Sequence, residues 1–201
     1  MKEQIIQMIR TRWRKVSRLT LPIACAVFFA PGPATGWSQH DHPSSQNSAP
    51  VAGSPAISFE LKSLDGKPVG LATFRGQPLV INFFASWCDP CRDEMPLINE
   101  LASKAAKEGY SVLGIAVEDG RAAVTEFAKE AKLVFPIALD LNSTVKRAYR
   151  IFGPPATFFI DGQGIIRDVV LGPITAERAR EAMKKVGARC NMSYHPGCTV
   201  R

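Results

Sequence analysis

Cys88 and Cys91 stand two residues apart, just after an apolar run from Leu79 to Phe84 and a short turn carrying Trp87. The run reads as a buried strand, and the residues that follow Cys88 read as a helix. Cys88 therefore falls at a helix N-terminus, where unpaired backbone N–H groups and the helix dipole favour negative charge. A thiol there loses its proton more readily, and the thiolate is the form that attacks disulfides. Cys91 lies one turn further in, within reach of a disulfide to Cys88. The chemistry open to this pair is thiol–disulfide exchange. Two other readings use the same residues, a static disulfide or half of a zinc site. Zinc would want a second pair of ligands, which only Cys190 and Cys198 in the tail could offer.

The elements that must position the pair are legible on both sides of it. Ser58 to Leu61 alternates like a strand, and Asp65-Gly66 marks a hairpin turn before Lys67-Pro68-Val69. Leu71 to Gln77 reads as a short turn or helix leading into the strand at 79–84. The helix after Cys88 is expected to run to about Lys107, with Leu97, Ile98, Leu101 and Ala105 on one face and Gly109 ending it. Pro96 within it predicts a kink, because it has no N–H to donate and its ring crowds the preceding turn. Ser111–Val117 reads as a strand, 122–132 as a helix, 135–139 as a strand, and 143–149 as a helix capped by Ser143. Ala156–Ile160 and 165–171 flank an Asp161-Gly162 turn, and a last helix starts at Thr175 and ends near Val186. This order predicts an α/β fold, a mixed sheet flanked by helices, with parallel strands joined by crossover helices.

The chain has 201 residues, enough for one good core. Its net charge of +7 suggests a polyanion partner until the charges are located. Six Lys and Arg and one acid lie before residue 37, which leaves nineteen bases against seventeen acids in the rest. The body is close to neutral, so nucleic acid is not indicated. Residues 1–36 have the layout of an export signal: basic up to Arg18, apolar from Leu19 to Ala30, then small residues and prolines. An uncleaved membrane anchor is the rival reading. Cys25 reads as a small apolar residue of that segment. Residues 37–56 are rich in Ser, Pro and His and read as a disordered linker, with His40 and His42 too few for a metal site. The folded domain is expected over 57–187 and a tail over 188–201. If the signal leaves, four cysteines remain, an even number that suits an oxidising compartment. A disulfide between Cys190 and Cys198 would close a short loop and stabilise the tail by about 2 kcal/mol. A second redox pair, or a Cys190/His195/Cys198 metal site, is the sharper alternative.

Motif and element order together resemble the thioredoxin fold, and within it the TlpA/ResA-like exported thiol–disulfide oxidoreductases. The residues behind this are Phe84-Ala85-Ser86-Trp87-Cys88-Asp89-Pro90-Cys91, Glu94-Met95-Pro96, and Gly153-Pro154-Pro155-Ala156-Thr157-Phe158-Phe159-Ile160-Asp161. The resemblance spans about 57–187, with an N-terminal hairpin and extra strand–helix material matching 111–150. It implies that Cys88 attacks, that Cys91 resolves the mixed disulfide, and that Glu94 exchanges a proton beside them. Pro155 matches a cis-proline facing the pair. Trp87 and Pro154 are the expected substrate-facing residues. Pro154 is also a departure, because it has no N–H to offer a substrate strand. Asn82 is another: thioredoxins proper carry a buried acid there, and an amide cannot exchange protons, which moves that task onto Glu94.

The expected activity is therefore protein disulfide exchange at an extracytoplasmic site, by a monomer with no cofactor beyond the Cys88–Cys91 disulfide. The resemblance implies a reducing role on a disulfide-containing protein such as apocytochrome c, with electrons from a membrane thiol donor. The rivals are a disulfide-forming oxidant and a copper- or zinc-handling protein using the same pair. A peroxidase is disfavoured, since Trp87 and a C-x-x-C stand where peroxide-reducing relatives place Thr and Pro ahead of one cysteine.

Overall fold

A computed structural model describes residues 50–187. Residues 1–49, on which the expected export signal and most of the expected linker fall, and the tail with Cys190 and Cys198 lie outside the described residues. Seven strands form one sheet in the order β2-β1-β5-β4-β3-β6-β7. They are β1 (Glu60–Ser63), β2 (Pro68–Gly70), β3 (Leu79–Phe84), β4 (Ser111–Val117), β5 (Ile137–Asp140), β6 (Ala156–Ile160) and β7 (Ile166–Leu171). The described residues also form four α-helices, α1 (Asp89–Glu108), α2 (Arg121–Glu130), α3 (Thr144–Ala148) and α4 (Ala176–Lys185), and a 3-10 turn at Leu71–Phe74. β3, β4 and β5 are parallel, while β6 and β7 return antiparallel beside β3. This is a thioredoxin-like fold.

β3 is buried along its whole length, as an apolar run interrupted only by Asn82 requires in a sheet covered on both faces. Alternate residues divide between two cores. Val80 and Phe84 join the cluster holding Cys88, Cys91, Met95 and Ile98 of α1. Leu79, Ile81 and Phe83 join the opposite cluster with Val145 and Tyr149. Asn82 thus sits on the face that α1 covers, because side chains alternate with a period of two. Beside it in register lies Gly114 of β4. A Cβ there would stand 2.8 Å from the Phe135 ring and 2.9 Å from that of Phe84, so glycine makes room for both rings.

Helix α1 runs on past Pro96 to Glu108 and ends at Gly109, whose φ of 74° is the left-handed cap expected of it. Two expectations need correction. The linker reading over 37–56 fails at its end: the Gly53 N–H donates to the Ile166 carbonyl, Ile166 N–H to Ser54, and Ala56 N–H to Gly164. Those bonds add residues 53–56 to the edge of β7, a gain invisible in a stretch with no apolar periodicity of its own. Ser143 does not cap α3 with its hydroxyl, since it is left-handed with φ 53°. Asp140, at the end of β5, does so instead, accepting from Thr144 N at 2.9 Å and Lys146 N at 2.7 Å. Asp140→Ala should therefore cost about 0.5–2 kcal/mol, read as a lower denaturant midpoint at unchanged slope.

Asp168 ties α4 to β7. It is buried, accepts from both Arg178 Nη atoms at 2.6 and 2.5 Å, and from Lys185 Nζ at 2.8 Å. The Arg178 contact, chiefly, holds its carboxyl down at about 2. A folded-state pKa below the unfolded one means stability that is present above pH ~4 and lost as pH falls towards 2. Because both cations are part-exposed, screening limits this to about 1–2 kcal/mol. Acid titration of the unfolding midpoint should show that loss, and Asp168→Asn should flatten it.

Candidate active site

The C-terminal end of β3 delivers the chain into the turn that holds Trp87 and then into α1. Cys88 is the N-cap residue of α1: its Sγ accepts from the Cys91 N–H at 3.2 Å, and Pro90 occupies the first turn, where a missing N–H costs nothing. Cys88 and Cys91 form a disulfide. Cys91 is fully covered and Cys88 is 5% exposed, so the one edge of the disulfide open to a partner belongs to Cys88.

The turn is tied down from three sides. Trp87 Nε1 donates to the Glu118 carbonyl at 3.0 Å, and Ser86 N–H donates to Asp119 Oδ2 at 2.6 Å. From α1, Arg92 donates to the Ser86 carbonyl at 3.1 Å, stands 4.8 Å over the Phe127 ring, and pairs with both oxygens of Glu130 at 2.8 Å. The loop after β4 is itself held by Lys146, which reaches Glu118 Oε1 at 2.7 Å. The insert from β4 to α3 thus serves the active-site turn. None of Glu118, Asp119, Arg92 or Lys146 is identifiable from sequence as supporting the site, because scattered surface charges carry no periodic signal.

Behind the cysteines, one turn along α1, lies Glu94, only 5% exposed. Its Oε1 accepts from Asn82 Nδ2 at 2.7 Å and its Oε2 from the Ile174 N–H at 2.9 Å. Burial pushes its carboxyl above the ordinary glutamate range, and the two donated hydrogen bonds only partly oppose that. Asn82 Nδ2 also donates to Thr157 Oγ1 at 3.1 Å. Asn82 and Thr157 are register partners on β3 and β6, one polar residue on the same face of each apolar strand. That shared oddity is the one signal the sequence holds for Thr157, which sequence reasoning missed. The Ile174 N–H, a backbone group just before α4, leaves no trace in the sequence.

The Pro154–Pro155 peptide bond is cis. Since β6 runs antiparallel to β3 with Ala156 opposite Phe83, Pro154 and Pro155 emerge at the same end of the sheet as the cysteine turn. The Pro155 carbonyl is taken by the Gly172 N–H at 2.9 Å. Trp87 is 58% exposed beside Cys88, and Phe152, two residues ahead of Pro154, is 98% exposed. Cys88, Cys91, Glu94, Trp87, Pro154 and Pro155 thus gather at one end of the molecule. Among the described residues no group of three or more His, Cys, Asp or Glu converges.

This arrangement can pass two electrons between a partner's cysteines and its own, with a buried carboxyl at hand for the proton. Comparison with known proteins agrees. Residues 52–169 match the AhpC/TSA family. The thiol-disulfide oxidoreductase ResA of Geobacillus thermodenitrificans is 32% identical over 153 residues, covering 76% of this chain and 88% of the relative. ResA of Bacillus thuringiensis is 33% identical over 134 residues, covering 67% and 78%. Among solved structures, a thiol:disulfide interchange protein of Chlorobium tepidum superposes with a TM-score of 0.60 at 31% identity, over 70% of this chain and 99% of that one. A secreted disulfide oxidoreductase of Mycobacterium tuberculosis gives 0.56 at 27% identity, over 65% and 95%. The chain belongs to the AhpC/TSA family of thioredoxin-fold proteins and is a protein thiol–disulfide oxidoreductase of the ResA kind.

Proposed function

We propose that this protein works outside the cytoplasm as a monomeric reductant of protein disulfides, with apocytochrome c cysteines as the expected substrate. It needs no cofactor beyond its own disulfide, and a membrane thiol donor would return it to the dithiol. The export-type segment at 1–36 and the resemblance to the ResA group support the compartment and the direction. The observation that carries the mechanism is Glu94, buried one turn behind Cys91 with both oxygens hydrogen-bonded.

In the reduced protein the Cys88 thiolate attacks one sulfur of the substrate disulfide. A mixed disulfide forms, and the other substrate sulfur leaves as a thiolate. Cys91 then gives its proton to the Glu94 carboxylate and attacks Cys88 Sγ. The substrate's second sulfur leaves and is protonated. Two electrons pass to the substrate with the one proton of Cys91, solvent supplies the second proton to the thiolate that left first, and the protein ends as the Cys88–Cys91 disulfide. Run backwards, the same steps describe an oxidant, and the reduction potential separates the two.

Equilibration of the pair against graded thiol buffers measures that potential. A value near the thioredoxin end of the range, roughly −270 mV, is expected for a reductant, whereas one near −120 mV belongs to a strong oxidant. A result at the oxidising end would overturn the reducing role.

A further inference from the structure

Asn82 is fully buried, yet its Oδ1 has no hydrogen-bond partner among the described residues. A buried acceptor left unpaired costs about 1–3 kcal/mol, so its persistence calls for a reason. Its other end is fully used, since Nδ2 donates to both Glu94 Oε1 and Thr157 Oγ1. That orientation suits an ionised Glu94, whose oxygens can only accept. It suits the acid form less well, because the protonated oxygen accepts more weakly and its own proton then needs an acceptor. Among the described residues Glu94 is hydrogen-bonded by Asn82 from β3, with Thr157 of β6 behind it, and by the Ile174 N–H ahead of α4, while Cys91 stands three residues earlier on α1. Of these only Cys91 titrates, and only once reduced. Ile174 N can only donate. Of the two groups that hydrogen-bond Glu94 directly, Asn82 alone can exchange donor for acceptor without moving its backbone.

We propose that Asn82 and Thr157 are positioning residues for Glu94, and that the Asn82 carboxamide turns over by half a rotation when Glu94 takes a proton. Oδ1 then accepts from the Glu94 hydroxyl and from the Thr157 hydroxyl, which reverses from acceptor to donor. Nδ2 moves to the place Oδ1 had. Each orientation leaves one end of the amide unpaired, so neither locks, and the proton can be returned. No bond is made or broken in the turnover. The proton comes from the Cys91 thiol as Cys91 attacks, and it goes on to the departing substrate thiolate. An aspartate at position 82 would compete with Glu94 for the proton, whereas an amide can only follow it.

This rests on Glu94 as the proton acceptor, and the test keeps the two ideas apart. NMR on the full chain, isotope-labelled, follows the Asn82 side-chain NH₂ and the Glu94 carboxyl carbon across a pH titration. The two should shift with one midpoint. The nuclear Overhauser contact between the Asn82 NH₂ and Thr157 should be present on the alkaline side and lost on the acid side. An NH₂ signal that keeps that contact while Glu94 titrates overturns the proposal, and no variant is needed to see it. In Asn82→Leu, the step from mixed disulfide to product should slow about tenfold or more and lose its dependence on the Glu94 midpoint, while attack by Cys88 is unchanged. A merely structural role would lower stability and leave that pH profile in place. Glu94→Gln with undiminished resolution would remove the relay itself, an outcome distinct from a fixed amide.

Discussion

Replacing Cys91 with serine should turn this enzyme into a trap for its partner. Cys91 is fully buried, while Cys88 holds the accessible edge of the pair and the helix N-terminus that stabilises its thiolate. Attack by Cys88 on a substrate disulfide needs nothing from Cys91 and should persist in Cys91→Ser. Resolution needs an intramolecular thiolate, and the serine hydroxyl cannot supply one. Turnover should fall to the uncatalysed background, and a covalent adduct should accumulate at Cys88, visible on a non-reducing gel and released by dithiothreitol. Cys88→Ser should show the same loss of turnover with no adduct. Adduct in Cys88→Ser but not in Cys91→Ser would reverse the roles of the two cysteines.

Glu94→Gln should slow the resolving step by about 10²-fold or more, the usual range for a positioned general base. The change conserves shape and removes only the proton site, so attack by Cys88 should keep its rate. Glutamine can keep its oxygen on the Ile174 N–H, with its NH₂ then facing the Asn82 amide, which can turn over to accept it. Stability offers an independent reading. Burial raises the folded-state pKa of Glu94 above its unfolded value. Its contribution is therefore fully present below the ordinary glutamate range and is lost as pH rises through the raised folded value. In Glu94→Gln that decline should vanish from a plot of unfolding free energy against pH. A variant that resolves mixed disulfides at the parental rate would leave the proton path unassigned.

Much of the fold is legible in the sequence, because each element near the site carries a strong local signal. The apolar run at β3, interrupted only by Asn82, the small-residue and proline punctuation of α1, and the aromatic strand at β6 each allow one secondary structure. Weak signals failed in an instructive way. The capping of α3 went to Asp140 because a carboxylate at a strand end can reach two N–H groups, which the Ser143 hydroxyl in a left-handed turn does not. Residues 53–56 read as disordered because the backbone bonds that hold them, to Gly164 and Ile166, leave no pattern in the sequence.

By itself the sequence determined the reacting pair, its place at a helix N-terminus, and the family, since spacing and residue type are local quantities. Tertiary structure alone decided how the pair is served. It brought Thr157 across from β6 to Asn82, the Ile174 N–H to Glu94 from 80 residues away, and the loop after β4 onto Trp87 and Ser86. Those contacts depend on strand register and on which face of the sheet a helix covers. Register is set by the whole core at once, and no window of sequence contains it.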